Sequence, residues 1–230
     1  SWAVSNVSPN AMFFDPEIRA FVGYKSTGAK PVELCLDGTI RQAGTGAGFN
    51  TRPAFSQTGS FLDGATYNPY NNTVVFLRNR SPATIRVVPL DATQEGQPDI
   101  TGTDVSLRTE GGANLSSGVA LAITDRGDLM ISAENGRVYV YFRESGTTTG
   151  FGNPVGGFLN ADDSFATTAP NGSGGDVAWS IPGTDLYGTA YTLSGDQLIH
   201  FYDTSDPAGG SYDVEFTTSD IPGVLFPNGS

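Results

Sequence analysis

The chain has very few cysteine and histidine side chains. It contains one cysteine, Cys35, and one histidine, His200, among 230 residues. A single cysteine excludes an intramolecular disulfide framework, so the fold must be held by its apolar core. A metal site built from histidine and cysteine lacks the ligands it would need. We therefore expect no bound metal and no cofactor.

Long apolar runs and excess basic charge are also lacking. The longest apolar run lies around Gly118–Ile123, far short of the roughly 20 residues that a membrane-spanning helix needs. The formal net charge is -12 and the pI is about 4.3. This charge repels phosphate backbones and anionic lipid headgroups. The sequence therefore predicts neither a nucleic-acid partner nor a membrane partner.

What the chain does contain favours an all-β fold. The 30 glycines and 14 prolines are spread along its whole length, as expected of turns between many short strands. No segment shows a sustained helical period of apolar residues, so we expect no helix longer than a turn or two. With no linker dividing it, residues 1–230 are predicted to form one domain.

Internal repetition predicts the architecture. An apolar strand recurs with starts at residues 18, 74, 129 and 186, a spacing of about 56 residues. A strand of small residues precedes each copy, beginning at Ala3, Ala65, Leu121 and Ala178. A third strand and an outer fourth strand follow, the latter at Val105–Arg108 in the second copy. This pattern predicts a four-bladed β-propeller of antiparallel sheets, with blades at about 1–60, 61–116, 117–174 and 175–230.

A β-sandwich has a similar number of strands and is the rival architecture. Its strands are not expected to repeat as equally spaced groups, so the repeat favours the propeller.

The first repeat resembles the fungal fucose-specific propeller lectins. The resemblance lies in Ile18-Arg19-Ala20-Phe21 and in Val32-Glu33-Leu34-Cys35-Leu36-Asp37-Gly38. It implies that Arg19 and Glu33 bind sugar hydroxyls, with Trp2 or Trp179 covering the apolar face of the sugar. The alternative interpretation of Arg19 and Glu33 is a cross-strand ion pair. A fucosylated glycan is therefore one expected ligand.

The other repeats lack this charged pair. The position of Arg19 is occupied by Val75, Met130 and Tyr187 in the later copies. A lectin-like scaffold without sugar sites resembles the fungal hetero-Diels-Alderases of tropolone sesquiterpenoid pathways. That resemblance implies a cofactor-independent pericyclase acting on a hydrophobic small molecule, since orientation alone lowers the barrier of a cycloaddition. We predict Tyr187 and His200 as catalytic residues, and Tyr67 and Trp179 as further ligand contacts. The alternative interpretation of His200 is a structural histidine.

Short motifs add two expectations. Arg126-Gly127-Asp128 and the acids Asp162 and Asp163 are interpreted as turn residues rather than as binding motifs. Acceptor triplets for N-glycosylation predict a secreted glycoprotein, although the opening residues carry no basic or apolar leader. These triplets begin at Asn6, Asn71, Asn79, Asn114, Asn171 and Asn228.

Overall fold

The computed structural model describes most of the first 166 residues and selected strands beyond them. The described residues are 11–24, 31–56, 61–124, 126–133, 135, 137–166, 177–179, 189–193, 199–203 and 214–217. They are almost entirely β-strand and turn, with one 3-10 helix at Leu90–Thr93. The all-β prediction is confirmed for this part of the chain. No helix among these residues has the length and apolar character needed to cross a membrane.

The chain divides into two compact units. Unit 1 comprises Ser1–Arg80 and Thr84–Val105, and unit 2 comprises Ser81–Ala83 and Ser106–Ser230. The single-domain prediction stays a prediction.

Unit 1 contains two runs of strands in chain order. The first is β1 (Ala11–Asp15), β2 (Ala20–Tyr24), β3 (Val32–Cys35), β4 (Ile40–Ala43) and β5 (Phe49–Asn50), antiparallel except for the parallel β4–β5 pair. The second is β6 (Phe61–Asn68), β7 (Thr73–Asn79) and β8 (Thr84–Pro89), antiparallel throughout.

Aromatic side chains form the centre of the unit 1 core. Phe76 on β7 packs edge-to-face against Tyr24 at 5.4 Å and Phe13 at 6.1 Å, and its ring lies 4.7 Å from that of Phe55. The apolar side chains around them come from β1, β2, β6, β7 and β8. One face of the β1–β5 sheet is therefore packed on β6–β8.

Unit 2 contains the remaining strands. The bounds are β9 (Val105–Arg108, of which Val105 belongs to unit 1), β10 (Gly118–Ile123), β11 (Leu129–Ala133), β12 (Arg137–Tyr141), β13 (Phe158–Asn160), β14 (Asp163–Ala166), β15 (Val177–Trp179), β16 (Thr189–Leu193), β17 (Ile199–Asp203) and β18 (Val214–Thr217). One antiparallel sheet has the order β10-β11-β12-β14, and another has the order β15-β16-β17-β18. All five residues of β11 are buried, as expected of a central strand.

The predicted strands of the second and third repeats are confirmed, but the first repeat differs. Its predicted first strand at Ala3 lies outside the described residues, and the strand that pairs with β2 is β1, Ala11–Asp15. The strand predicted from Ile18 begins at Ala20, because Pro16–Arg19 form the turn. Pro16 favours that turn, and Asp15 Oδ1 accepts a hydrogen bond from Glu17 N at 2.9 Å.

Candidate functional site

Glu33 lies in a buried ionic network rather than at an open surface. It is 1% exposed on β3. Its Oε1 accepts a hydrogen bond from Arg52 Nε at 2.5 Å, and its Oε2 accepts one from Arg41 Nη1 at 2.6 Å. Both carboxylate oxygens are thus bound by guanidinium groups. Arg41 is the residue directly opposite Glu33 in the β3–β4 pair.

Arg52 is the centre of this network. Its side chain is fully buried, its Nη2 donates to Asp15 Oδ2 at 2.7 Å, and its Nη1 donates to Thr93 O at 2.9 Å. Burial lowers the pKa of Arg52, but its hydrogen bonds and charge interactions with Glu33 and Asp15 outweigh burial and raise the pKa overall. The network connects β1, β3, the segment after β5 and the 3-10 helix.

Arg19 does not contribute to the network. It is exposed in the β1–β2 turn, with φ of 53°. The β2–β3 register places Glu33 opposite Val22, three residues along the strand from Arg19 and therefore about 10 Å away. No described ion pair joins Arg19 to Glu33, so the cross-strand pair predicted between them is not formed.

Tyr67 on β6 lies close to the same turn. Its hydroxyl donates to Asn72 Oδ1 at 3.0 Å, and the side chain is half-buried. Partial burial raises the pKa of Tyr67, and the negative charges of Glu17 and Asp15 raise it further. The structure therefore brings Tyr67 and the turn that carries Arg19 to one end of unit 1.

This end of unit 1 also exposes large apolar side chains. We call it the turn surface and define it by Ile18, Arg19, Leu36, Tyr67 and Tyr70. Ile18 is 42% exposed, Leu36 51% and Tyr70 45%. The pairing of Ala20 with Cys35 places Arg19 and Leu36 side by side where β2 begins and β3 ends. Among the described residues, Arg19 and Asn72 are the non-glycine residues with positive φ, and both lie in the turns at this end.

Sequence reasoning missed a group of arginines around Asp104. We call Arg78, Arg80, Arg86 and Asp104 the arginine cluster. Arg78 Nη1, Arg80 Nη2 and Arg86 Nη2 all contact the Asp104 carboxylate. Part of this arrangement was visible in the sequence, because Arg78 lies near the end of β7 and Arg80 follows directly after that strand. The position of Asp104 beside them depends on an irregular loop and was not predictable from the pattern.

The Arg126-Gly127-Asp128 tripeptide forms a turn, as predicted. Asp128 N donates to Thr124 Oγ1 at 3.0 Å, and Gly127 has φ of 88°. Asp128 is buried, and its Oδ1 accepts a hydrogen bond from Arg143 N at 2.8 Å. The aspartate is therefore engaged within the fold.

The acids after β12 also bond to the backbone. Asp162 Oδ2 accepts from Phe142 N at 2.7 Å, and Asp163 Oδ1 accepts from Ser164 N at 2.7 Å. In the part of the chain that the structure describes, no three His, Cys, Asp or Glu side chains are grouped to hold a metal ion.

The remaining predicted site residues either have only a strand position in the structure or lie outside the described residues. Trp179 lies in β15, and His200 lies in β17 opposite Thr192 and Thr217. Trp2 and Tyr187 lie outside the described residues. Their roles stay predictions.

Comparison with known proteins finds a likeness of fold but no family. No protein-family model and no curated protein matches the chain. One similar solved structure is a chain described as "Crystal Structure of Mitotic Checkpoint Complex", with a TM-score of 0.51 and 9% sequence identity over 91% of this chain. That neighbour is a WD40 β-propeller, and this chain spans about half of it, 51%. The likeness is one of fold alone.

Proposed function

We propose that the chain is a four-bladed β-propeller that binds a predominantly apolar small molecule on the turn surface. The proposal rests on the exposure of Ile18, Leu36 and Tyr70, which lie in or next to turns at the end of unit 1 that carries the exposed Arg19. Small-molecule sites combine mostly apolar contacts with a few polar groups that orient the ligand.

The four-blade count is supported by the repeat and by the faces of the β1–β5 sheet. The face turned away from Phe76 is also apolar: Phe14 and Phe21 pack edge-to-face at 5.3 Å, and Val32 and Leu34 are buried. Propeller blades are packed on both faces, whereas a sheet at the outside of a sandwich has one polar face. Two apolar faces therefore favour the propeller.

The polar groups of the turn surface suit a ligand with an oxygen substituent. Arg19 is exposed and offers a charged hydrogen-bond donor. The Tyr67 hydroxyl already donates its proton to Asn72 Oδ1, so its oxygen can accept a hydrogen bond from a ligand. Left-handed backbone at a non-glycine residue occurs more often at ligand sites than elsewhere, and Arg19 has it.

A hetero-Diels-Alder reaction is the specific activity that we propose for this site. A cycloaddition between a tropolone quinone methide and a terpene alkene needs mainly orientation, which a mixed apolar and hydrogen-bonding surface supplies. Hydrogen bonds to the diene oxygen add electrostatic stabilisation. The sequence-based assignment of Tyr187 and His200 as catalytic residues concerns unit 2 and stays a prediction separate from the turn surface.

Fucose binding is the second candidate, favoured by the exposed Arg19 guanidinium in the lectin-like motif. Glu33 is unsuited to accept sugar hydroxyls, because it is 1% exposed and its two oxygens accept hydrogen bonds from Arg52 and Arg41. A sugar site would therefore depend on Arg19 and on stacking against Tyr70.

Secretion and N-glycosylation belong to the same proposal. Asn71 and Asn114, which open two of the acceptor triplets, are exposed in the structure.

Binding of the neutral dye Nile red tests the proposed surface. Leu36→Asn and Tyr70→Ala should each weaken the dye's affinity several-fold, because each removes exposed apolar contact area. Phe142→Ala is the matched control, since Phe142 is 38% exposed in unit 2. Equal affinities in all four proteins, wild type included, would remove the turn surface from consideration.

Activity and glycan binding are measured in parallel. Conversion of a tropolone quinone-methide precursor plus humulene would support the pericyclase, whereas fucosylated-glycan binding abolished by Arg19→Ala would support the lectin. A protein with neither property contradicts both specific functions.

A further inference from the structure

The turn between β6 and β7 contains two consecutive asparagines in different environments. Asn71 is exposed. Asn72 is engaged in the fold: its Oδ1 accepts a hydrogen bond from the Tyr67 hydroxyl at 3.0 Å, and its carbonyl oxygen accepts one from Leu90 N at 2.9 Å. The turn is therefore anchored through Asn72, and Asn71 lies at its exposed side.

The side chain of Asn71 is oriented by the third residue of its acceptor triplet. Thr73 Oγ1 donates to Asn71 Oδ1 at 2.6 Å. Among the described residues, no hydrogen bond involves Asn71 Nδ2, the atom to which an N-linked sugar is attached. The threonine hydroxyl thus occupies the amide oxygen and leaves the amide nitrogen for modification.

The two other acceptor triplets among the described residues are less accessible. Asn79 is half-buried in β7, and Pro82 follows its triplet. Asn114 is exposed, but Leu115, the middle residue of its triplet, is 1% exposed. In the described part of the chain, the triplet of Asn71 is therefore the one that lies in a solvent-exposed turn over its full length.

Tyr70 lies directly beside Asn71. Its side chain is 45% exposed, and it belongs to the turn surface. Its backbone N donates to Asn68 Oδ1 at 3.0 Å, which fixes the start of the turn. The Cα atoms of Tyr70 and Asn71 are about 3.8 Å apart across the peptide bond, so a sugar on Asn71 can reach the aromatic ring. Aromatic rings bury the apolar C–H face of a sugar.

We infer that Asn71 carries an N-linked glycan whose first sugar packs against the Tyr70 ring at the edge of the turn surface. The donor is a lipid-linked oligosaccharide diphosphate. Asn71 Nδ2 forms a bond to C1 of the first sugar and loses a proton, while the bond from C1 to the phosphate oxygen breaks and the lipid diphosphate leaves.

The inference rests on the secretion that forms part of the proposed function, and it adds a means of regulating the turn surface. A sugar on Tyr70 covers apolar area that a ligand of this surface needs. The glycosylated chain should therefore bind such a ligand more weakly than the unglycosylated chain.

Glycopeptide mapping tests the attachment. The full chain is produced through the secretory pathway of a eukaryotic host, digested and analysed by mass spectrometry. Asn71→Gln is the site variant, and Asn114→Gln is the matched control. We expect a glycan on the peptide that contains Asn71, lost in Asn71→Gln and retained in Asn114→Gln. An unmodified Asn71 in the wild type overturns the inference.

Melting temperatures test the packing of the sugar on Tyr70. The effect of the glycan is the difference between the wild type and Asn71→Gln from the same host, and it is measured again in the Tyr70→Ala background. We expect the difference to be larger by about 2 °C when the ring is present, because the ring supplies the contact. The same difference in both backgrounds overturns the packing.

Nile red affinity separates this inference from the function proposed for the turn surface. The glycosylated wild type should bind the dye several-fold more weakly than Asn71→Gln. Equal affinities overturn the regulation. If neither protein binds the dye while the glycan is found on Asn71 and coupled to Tyr70, the proposed function fails and the glycan assignment is supported.

Discussion

Arg52 Nη2 donates to Asp15 Oδ2 at 2.7 Å, and both side chains are completely shielded from solvent. A buried charge is stable only when its partners are present, because removal of one partner leaves the other charge desolvated. The pair also determines the environment of Glu33, the residue that the lectin-like motif had placed at a sugar site.

Replacement of Arg52 should therefore be severely destabilising. Arg52→Met leaves the Asp15 and Glu33 carboxylates buried without their shared cation, and we expect a loss of about 3–5 kcal/mol in the free energy of unfolding by urea denaturation. Arg41→Gln is the control, since Arg41 is partly exposed and Glu33 retains Arg52. The control should lose at most about 1 kcal/mol. A similar loss in both variants would contradict the central role of Arg52.

The aromatic core of unit 1 should be equally sensitive to substitution. Phe76→Ala removes the ring that contacts Phe13, Tyr24 and Phe55, and large-to-small changes of this kind cost about 3–5 kcal/mol. Phe142→Ala removes an exposed ring and should cost less than about 1 kcal/mol. Thermal unfolding of the two variants compares them directly, and similar melting temperatures would exclude Phe76 as a core residue.

Replacement of Gly44 by any residue with a Cβ is predicted to destabilise the fold. A Cβ at Gly44 would overlap Phe49 Cδ1 and lie 2.6 Å from Phe49 Cε1, so Gly44→Ala must displace the ring at a cost of about 1–3 kcal/mol. Gly111→Ala is the control, because its Cβ would meet nothing closer than Thr109 Oγ1 at 3.8 Å. The double variant Gly44→Ala, Phe49→Ala should be less destabilised than the sum of its single changes, as measured by a double-mutant cycle. Strictly additive losses of stability would show that the Phe49 ring does not obstruct a Cβ at position 44.

The pKa values of Asp37 and Asp162 should differ from that of an ordinary aspartate in opposite directions. Hydrogen bonds from Thr39 lower the pKa of Asp37, whereas burial, together with the charges of Asp128 and Glu144, raises the pKa of Asp162 despite its hydrogen bond from Phe142 N. Stability from Asp37 is thus lost as pH falls through its lowered pKa. Stability associated with protonated Asp162 is lost as pH rises through its raised pKa. Carboxyl carbon NMR titration should give the higher midpoint for Asp162, and the reverse order would refute this electrostatic account.

The strands of the second and third repeats were predictable because their local pattern and their tertiary role agree. Thr73–Asn79 is rich in β-branched and apolar residues and lies between two hairpin partners, so local preference and burial favour the same conformation. The first repeat was harder to predict. Ile18 continues the apolar run, yet the turn that starts at Pro16 includes it.

The ionic partners of Glu33 were not predictable from the repeat. Arg52 lies 19 residues away in a segment without regular structure, and only the folded chain brings its Nε to the carboxylate. The motif around Glu33 carries no information about that segment. Arg19 is exposed in the β1–β2 turn, but Glu33, the partner assumed for it, is bound by Arg52 and Arg41. The role of Arg19 at a ligand site stays a prediction.

A crystal structure of the chain with a bound ligand tests the central claim most directly. The account predicts four antiparallel blades around one axis, with the ligand in contact with Leu36 and Tyr70 and hydrogen-bonded to Arg19 or Tyr67. Two sheets packed as a sandwich, or a ligand bound to the Glu33 carboxylate in place of Arg52, would contradict it.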